Sequence, residues 1–166
     1  AFSRNDYERF MSYKRRLQKG KDTVHADVLF PHDCVRTCKF GDSELAESQF
    51  NALPNYMGDS GERPLVLADT SRSMQINVSG SVEAVDISQG LALYCSSRLE
   101  SQNPFYKKFI EFCDEGNLKN WEDLTFSQAI CDESIFDRAI GHTRIDRALK
   151  TILDTAKFFK LSQEYI

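Results

Sequence analysis

The clearest periodicity in the chain lies towards its carboxyl end. Ile145, Ala148, Leu149, Ile152, Leu153, Ala156 and Phe159 recur at i, i+3, i+4, i+7, i+8, i+11 and i+14, the stripe of a single helix face. That spacing predicts a helix whose large side chains are core, each contributing ~1.5–3 kcal/mol before ordering entropy is subtracted. A second helix is predicted from about Val85 to Leu99, with Val85, Leu91, Ala92, Cys95 and Leu99 on one side. Leu65-Val66-Leu67-Ala68 has another character. It is an unbroken apolar run, which predicts a short central strand buried on both faces. Lys107–Cys113 predicts a further strand ending in the turn-rich Asp114-Glu115-Gly116-Asn117. Trp121–Ile140 predicts one or two helical pieces interrupted near Asp132–Ser134, with Trp121 as a packing residue.

Upstream, Asn5 or Asp6 is placed to cap a helix carrying Tyr7, Phe10, Met11 and Leu17, and Gly20 to stop it. A short helix follows Pro31, and Ser43 is the expected cap of another that carries Leu45, Ala46 and Phe50 and ends near Pro54. Met57–Arg63 predicts a surface loop, and so does the polar stretch from Met74 through Gly80. Strands and helices arranged in this order predict an α/β fold, a mainly parallel sheet flanked by helices. Right-handed crossovers then place the loop after Ala68 at the carboxyl edge of the sheet, where open α/β sheets bind their ligands.

Composition narrows the classes of function. A chain of 166 residues, 41% hydrophobic, is long enough for one domain with a real core. Its apolar runs are too short to cross a bilayer and its first residues lack a signal-peptide pattern, so no membrane partner is expected. Five cysteines without a disulfide-framework spacing point to a reducing, cytoplasmic setting, and the sequon Asn77-Val78-Ser79 then reads as coincidence. His32, Cys34 and Cys38, with His25 as a fourth ligand, would be the set for a zinc ion. Their spacing is not a common zinc spacing, and structural cysteines on a short helix are the favoured reading. The net charge of −4 argues against nucleic-acid binding over the whole surface. Basic residues nonetheless gather at Lys14, Arg15, Arg16, Lys19 and Lys21. They form either a solvated helix face or a phosphate-contacting patch with Tyr7 and Tyr13 to stack on bases.

The candidate chemistry stands directly after the central strand. Asp69-Thr70-Ser71-Arg72-Ser73 offers a carboxylate and two hydroxyls at alternate positions on one loop, a donor set suited to a hard divalent cation. Serine and aspartate are also ordinary loop and capping residues. The D-x-S-x-S pattern resembles the metal-ion-dependent adhesion site of von Willebrand factor A (vWA) domains. Gly141-His142-Thr143, just before the last helix, resembles the second metal loop of the same domains. The resemblance implies that Ser71 and Ser73 ligate Mg²⁺ or Mn²⁺ directly and that Asp69 acts largely through water. Thr143 would enter or leave the coordination shell with the state of the site. A single carboxylate leaves the ion with positive charge, which favours an acidic group from a protein partner, with Arg72 and His142 beside it.

Two departures from the family pattern accompany this resemblance. Arg72 stands where intracellular relatives commonly carry a small residue, so its charge either opposes the metal or meets the partner's acid. The further aspartate that vWA domains supply from the loop after the next strand would fall beyond Ile166. The implied organisation is a helical amino-terminal extension over residues 1–60 and a partial vWA-like (Rossmann-like) domain over 61–166, its carboxyl-terminal strands missing. The upstream order, a basic helical stretch followed by Leu29-Phe30-Pro31-His32 and Glu47-Ser48-Gln49-Phe50, looks like an intracellular vWA group of unknown function. That group is related to the Ro ribonucleoprotein (TROVE) family and occurs in cellular and viral genomes.

Three functions follow from these features. The first is a non-enzymatic, metal-dependent module that recognises a protein through an exposed acid. The second is a component of a Ro-like ribonucleoprotein contacting RNA through the basic amino-terminal face. The third, a serine hydrolase using Ser71 or Ser73 with His142 as base, lacks both a G-x-S-x-G elbow and an acid placed to orient the histidine.

Overall fold

In the computed structural model, residues 6–19, 21–24, 26, 28–58, 65–112, 115–136 and 144–161 are described. Asp6 caps the first helix, α1 (Tyr7–Gln18), by accepting from Arg9 N–H at 3.0 Å. Pro31 opens α2 (Pro31–Lys39), a position where its missing N–H costs nothing. The cap of α3 (Ser43–Ala52) is Asp42 rather than Ser43, its carboxylate accepting from Leu45 N–H at 3.1 Å. The chain continues through β1 (Leu67–Asp69), a 3-10 turn (Arg72–Met74), the hairpin strands β2 (Asn77–Ser79) and β3 (Val82–Glu83), and α4 (Ala84–Ser97). Strands β4 (Lys108–Phe112) and β5 (Gly116–Asn120) precede α5 (Phe126–Cys131) and α6 (Ile145–Phe159). The expected roles of Asn5, Gly20, His25 and Cys113 fall outside the described residues.

The fold is mixed α/β. Its main sheet has the order β1-β4-β5, with β1 parallel to β4 and β4 antiparallel to β5. Leu67 faces Ile110 and Asp69 faces Phe112 across the parallel pair. Two expectations are corrected. The apolar run ending in β1 lies at one edge of the described sheet rather than at its centre, and the parallel ladder is balanced by an antiparallel one. Strand β5 was not anticipated, because Gly116-Asn117-Leu118-Lys119-Asn120 has neither β-branched residues nor clean alternation. Pairing with β4, from Phe112↔Gly116 to Lys108↔Asn120, makes it a strand. The helix expected from Trp121 onwards begins only after Thr125. There the Thr125 hydroxyl accepts from Gln128 N–H while the Gln128 carboxamide accepts from Thr125 N–H.

One apolar core draws on α2, α3, β1, α4, β4 and α5. Phe50 of α3 stacks on Phe126 of α5 at 4.1 Å between ring centres and meets Trp121 edge-on at 6.4 Å. The indole Nε1–H of Trp121 donates to Ser96 Oγ of α4 at 3.1 Å, so its one polar group is satisfied inside the core. Cys34 and Val35 of α2, Ala92 and Leu93 of α4 and Phe109 of β4 belong to the same core. Helices α2 and α4 approach so closely that a Cβ on Gly90 would stand 2.8 Å from backbone atoms of Pro31 and His32.

Helix α6 forms where its periodicity predicts, but it buries the other part of its stripe. Ala148, Thr155 and Ala156 are buried against the sheet, whereas Ile145, Leu149 and Leu153 are each more than half exposed, as is Phe158. The reason is close approach. A Cβ on Gly116 of β5 would lie 2.6 Å from the Ala148 backbone, so only small residues fit between helix and strand. The large side chains are displaced to the flanks. Gly116→Ala is therefore expected to lower stability by about 1–3 kcal/mol through overpacking, read as a lower urea midpoint with an unchanged slope.

Candidate metal centre

Strand β1 delivers Asp69 to the carboxyl end of the parallel pair. There Asp69 Oδ1 accepts from the Ser71 N–H at 2.9 Å, a side-chain turn that bends the chain off the strand. The following 3-10 turn closes through Met74 N–H to the Ser71 carbonyl at 2.9 Å and Gln75 N–H to the Arg72 carbonyl at 3.1 Å. This tight winding brings the hydroxyls of Ser71 and Ser73 together, their oxygens 2.9 Å apart. Ser71 is buried and Ser73 exposed, so the pair runs from the interior to the surface. Two oxygens bound in adjacent octahedral positions at ~2.0–2.1 Å from Mg²⁺ stand about 2.9 Å from each other. The two serine hydroxyls share a hydrogen bond at that same separation, and the Asp69 carboxylate is held on the Ser71 N–H of the turn.

Thr70 serves the opposite side of the loop. Its hydroxyl donates to Glu111 Oε1 at 2.5 Å, and Lys119 Nζ lies 3.0 Å from Glu111 Oε2. Glu111 sits on β4 opposite Ala68, and its side chain is 1% exposed. Sequence reasoning passed over this residue. The available signal was a lone acid between Ile110 and Phe112, within the apolar part of the strand. Lys119 neutralises it, which leaves Asp69 as the carboxylate of the D-x-S-x-S loop itself.

A cleft of about 250 Å³ opens beside the loop, lined by Thr70, Lys39, Glu83, Gln89, Cys131 and Asp132 among others. Lys39 is held in its wall by Asp86, Nζ to Oδ1 2.6 Å. Hydrogen bonding by Ser134 keeps the Asp132 carboxyl below the usual carboxylate range.

The structure thus brings together Asp69, Ser71 and Ser73. Arg72 is exposed on the outer side of the same turn. Thr143 and His142 lie outside the described residues. The basic stretch is divided by its partners. Lys14 is tied to Asp42 at 2.7 Å and Glu44 at 3.5 Å, and Arg16 to Asp22 at 3.1 Å, while Arg15, Lys19 and Lys21 are exposed. Hydrogen bonding to Asp42 accordingly raises the Lys14 pKa. Cys34 is core, and burial pushes its thiol up to about 12. His32 stacks on Phe30 at 5.7 Å. Among the described residues, no three His, Cys, Asp or Glu side chains gather as a metal-holding group, and no helix is long and apolar enough to cross a membrane. Comparisons with protein-family models, curated proteins and solved structures find no match to the chain.

The Glu111–Lys119 pair yields a stability prediction. Lys119→Met is expected to cost about 3–5 kcal/mol, because it leaves a buried carboxylate without its cation. Adding Glu111→Gln to that variant should recover a large part of the loss in the same denaturation measurement.

Proposed function

We propose that the chain is a non-enzymatic, vWA-like binding module that holds Mg²⁺ at Asp69, Ser71 and Ser73 and recognises a carboxylate on a protein partner. The observation that carries this reading is the 2.9 Å separation of the two serine oxygens at the carboxyl end of a parallel strand. Two neutral hydroxyls and one carboxylate leave a divalent ion with net positive charge, and Mg²⁺ keeps several exchangeable positions for water or an incoming acid. Thr143, two positions before α6 in the sequence, is the fourth donor of the proposed site. The exposed guanidinium of Arg72 stands on the same turn, free of the interior and able to pair with the partner's acid. The burial of Ser71 favours a ligand role over that of a nucleophile open to substrate.

A Mg²⁺ or Mn²⁺ titration followed by thermal unfolding tests the proposal. Ligand at one hundred times its dissociation constant stabilises the folded chain by about 2.7 kcal/mol, which raises the midpoint. Asp69→Ala, Ser71→Ala and Thr143→Ala should each abolish most of that rise. Chelation should likewise release an acidic peptide captured by the metal-loaded protein. A midpoint that responds to metal equally in the wild type and all three variants overturns the site.

A further inference from the structure

Cys34, Cys38, Cys95 and Cys131 are free thiols among the described residues, and two of them meet. Cys38, near the end of α2, and Cys131, the last residue of α5, place their sulfurs 3.9 Å apart although 93 positions separate them in the chain. The Cys38 sulfur also lies 3.8 Å from the Ser127 carbonyl, one turn before Cys131 on the same helix, and 3.9 Å from Ser43 Oγ. It is thus fixed against the face of α5 that carries its neighbour. The two thiols differ in access. Cys38 is 4% exposed, whereas Cys131 is exposed and forms part of the cleft wall.

We propose that Cys38 and Cys131 are a hydroperoxide-sensitive dithiol that closes to a reversible disulfide. Cys131, the accessible member, reacts first. Its thiolate attacks one peroxide oxygen, an S–O bond forms, the O–O bond breaks, and the departing hydroxide takes up a proton as water. The product is a sulfenic acid on Cys131. Cys38 then attacks that sulfur, the S–S bond forms, the S–O bond breaks, and the hydroxyl leaves with the Cys38 proton as a second water. In sum, two thiols and one hydrogen peroxide become one disulfide and two waters, with two electrons passing from sulfur to oxygen. A reduced dithiol reverses the step by exchange.

The geometry suits this division of labour. The sulfurs must approach from 3.9 Å to ~2.05 Å. The rotation falls to the exposed Cys131 at a helix end, while Cys38 is held by α5 and α3. Burial also pushes the Cys38 thiol up, which keeps it protonated while Cys131 meets the oxidant. Cys34 and Cys95 are raised by burial too. The resulting bond would join α2 to α5 beside the cleft and close a loop spanning most of the fold.

The test treats the full chain with a small excess of hydrogen peroxide, blocks remaining thiols with iodoacetamide and maps tryptic peptides by mass. The expected product is one cross-linked pair containing Cys38 and Cys131, lighter by two hydrogens and split by dithiothreitol. Oxidation should raise the thermal midpoint of the wild type by several degrees and leave that of Cys131→Ser unchanged. Cys38→Ser, lacking the resolving thiol, should instead accumulate a sulfenic acid on Cys131 that dimedone traps. The proposal is overturned if Cys131 passes to sulfinic acid in the wild type without linking to Cys38, if Cys131 pairs with another cysteine, or if Cys131→Ser gains the same thermal shift.

Discussion

A single buried carboxylate fixes the arrangement of the sheet and of the loop that leaves it. Glu111 lies on the middle strand, opposite Ala68, and receives Lys119 from β5 and the Thr70 hydroxyl from the end of β1. Each partner comes from a different neighbour, so the charge is compensated only when all three strands are in register. An unpaired carboxylate in that position would cost more than the pair contributes, which makes the interaction a specification of geometry more than a source of stability. It also settles which way the D-x-S-x-S loop turns. With Thr70 drawn inward to Glu111, Ser71 folds back on Asp69 and its hydroxyl meets Ser73.

Close packing of backbones is the second constraint. Gly90 admits the Pro31–His32 backbone to α4, and Gly116 admits α6 to β5 at distances that no side chain tolerates. These contacts exchange large apolar burial for proximity. The consequence is visible on α6, where alanines face the sheet and leucines stand half in water. The core proper is built instead by α2, α3, α4 and α5 with Ala68 of β1 and Phe109 of β4, around Phe50, Trp121 and Phe126.

Thr70 and Cys131 share one surface feature. Both line the cleft beside the end of α5. Its wall thus carries, in Cys131, the accessible member of the thiol pair.

The sequence by itself determined the local features. Asp6 and Pro31 mark helix starts, the 3.6-residue period marks α4 and α6, and Asp69, Ser71 and Ser73 stand at the end of an apolar strand as their spacing implies. Each of these depends on neighbours a few residues away, which a linear pattern records. Tertiary structure alone decided the strand character of Gly116–Asn120, the hairpin around Gly80-Ser81, the outward turn of Leu149 and Leu153, and the meeting of Glu111 with Lys119 and of Cys38 with Cys131. Those outcomes depend on backbone pairing and on the space left between elements far apart in the chain. Hydrophobic periodicity says which helix face is apolar, but the distance to the opposing backbone decides which of its residues can be buried.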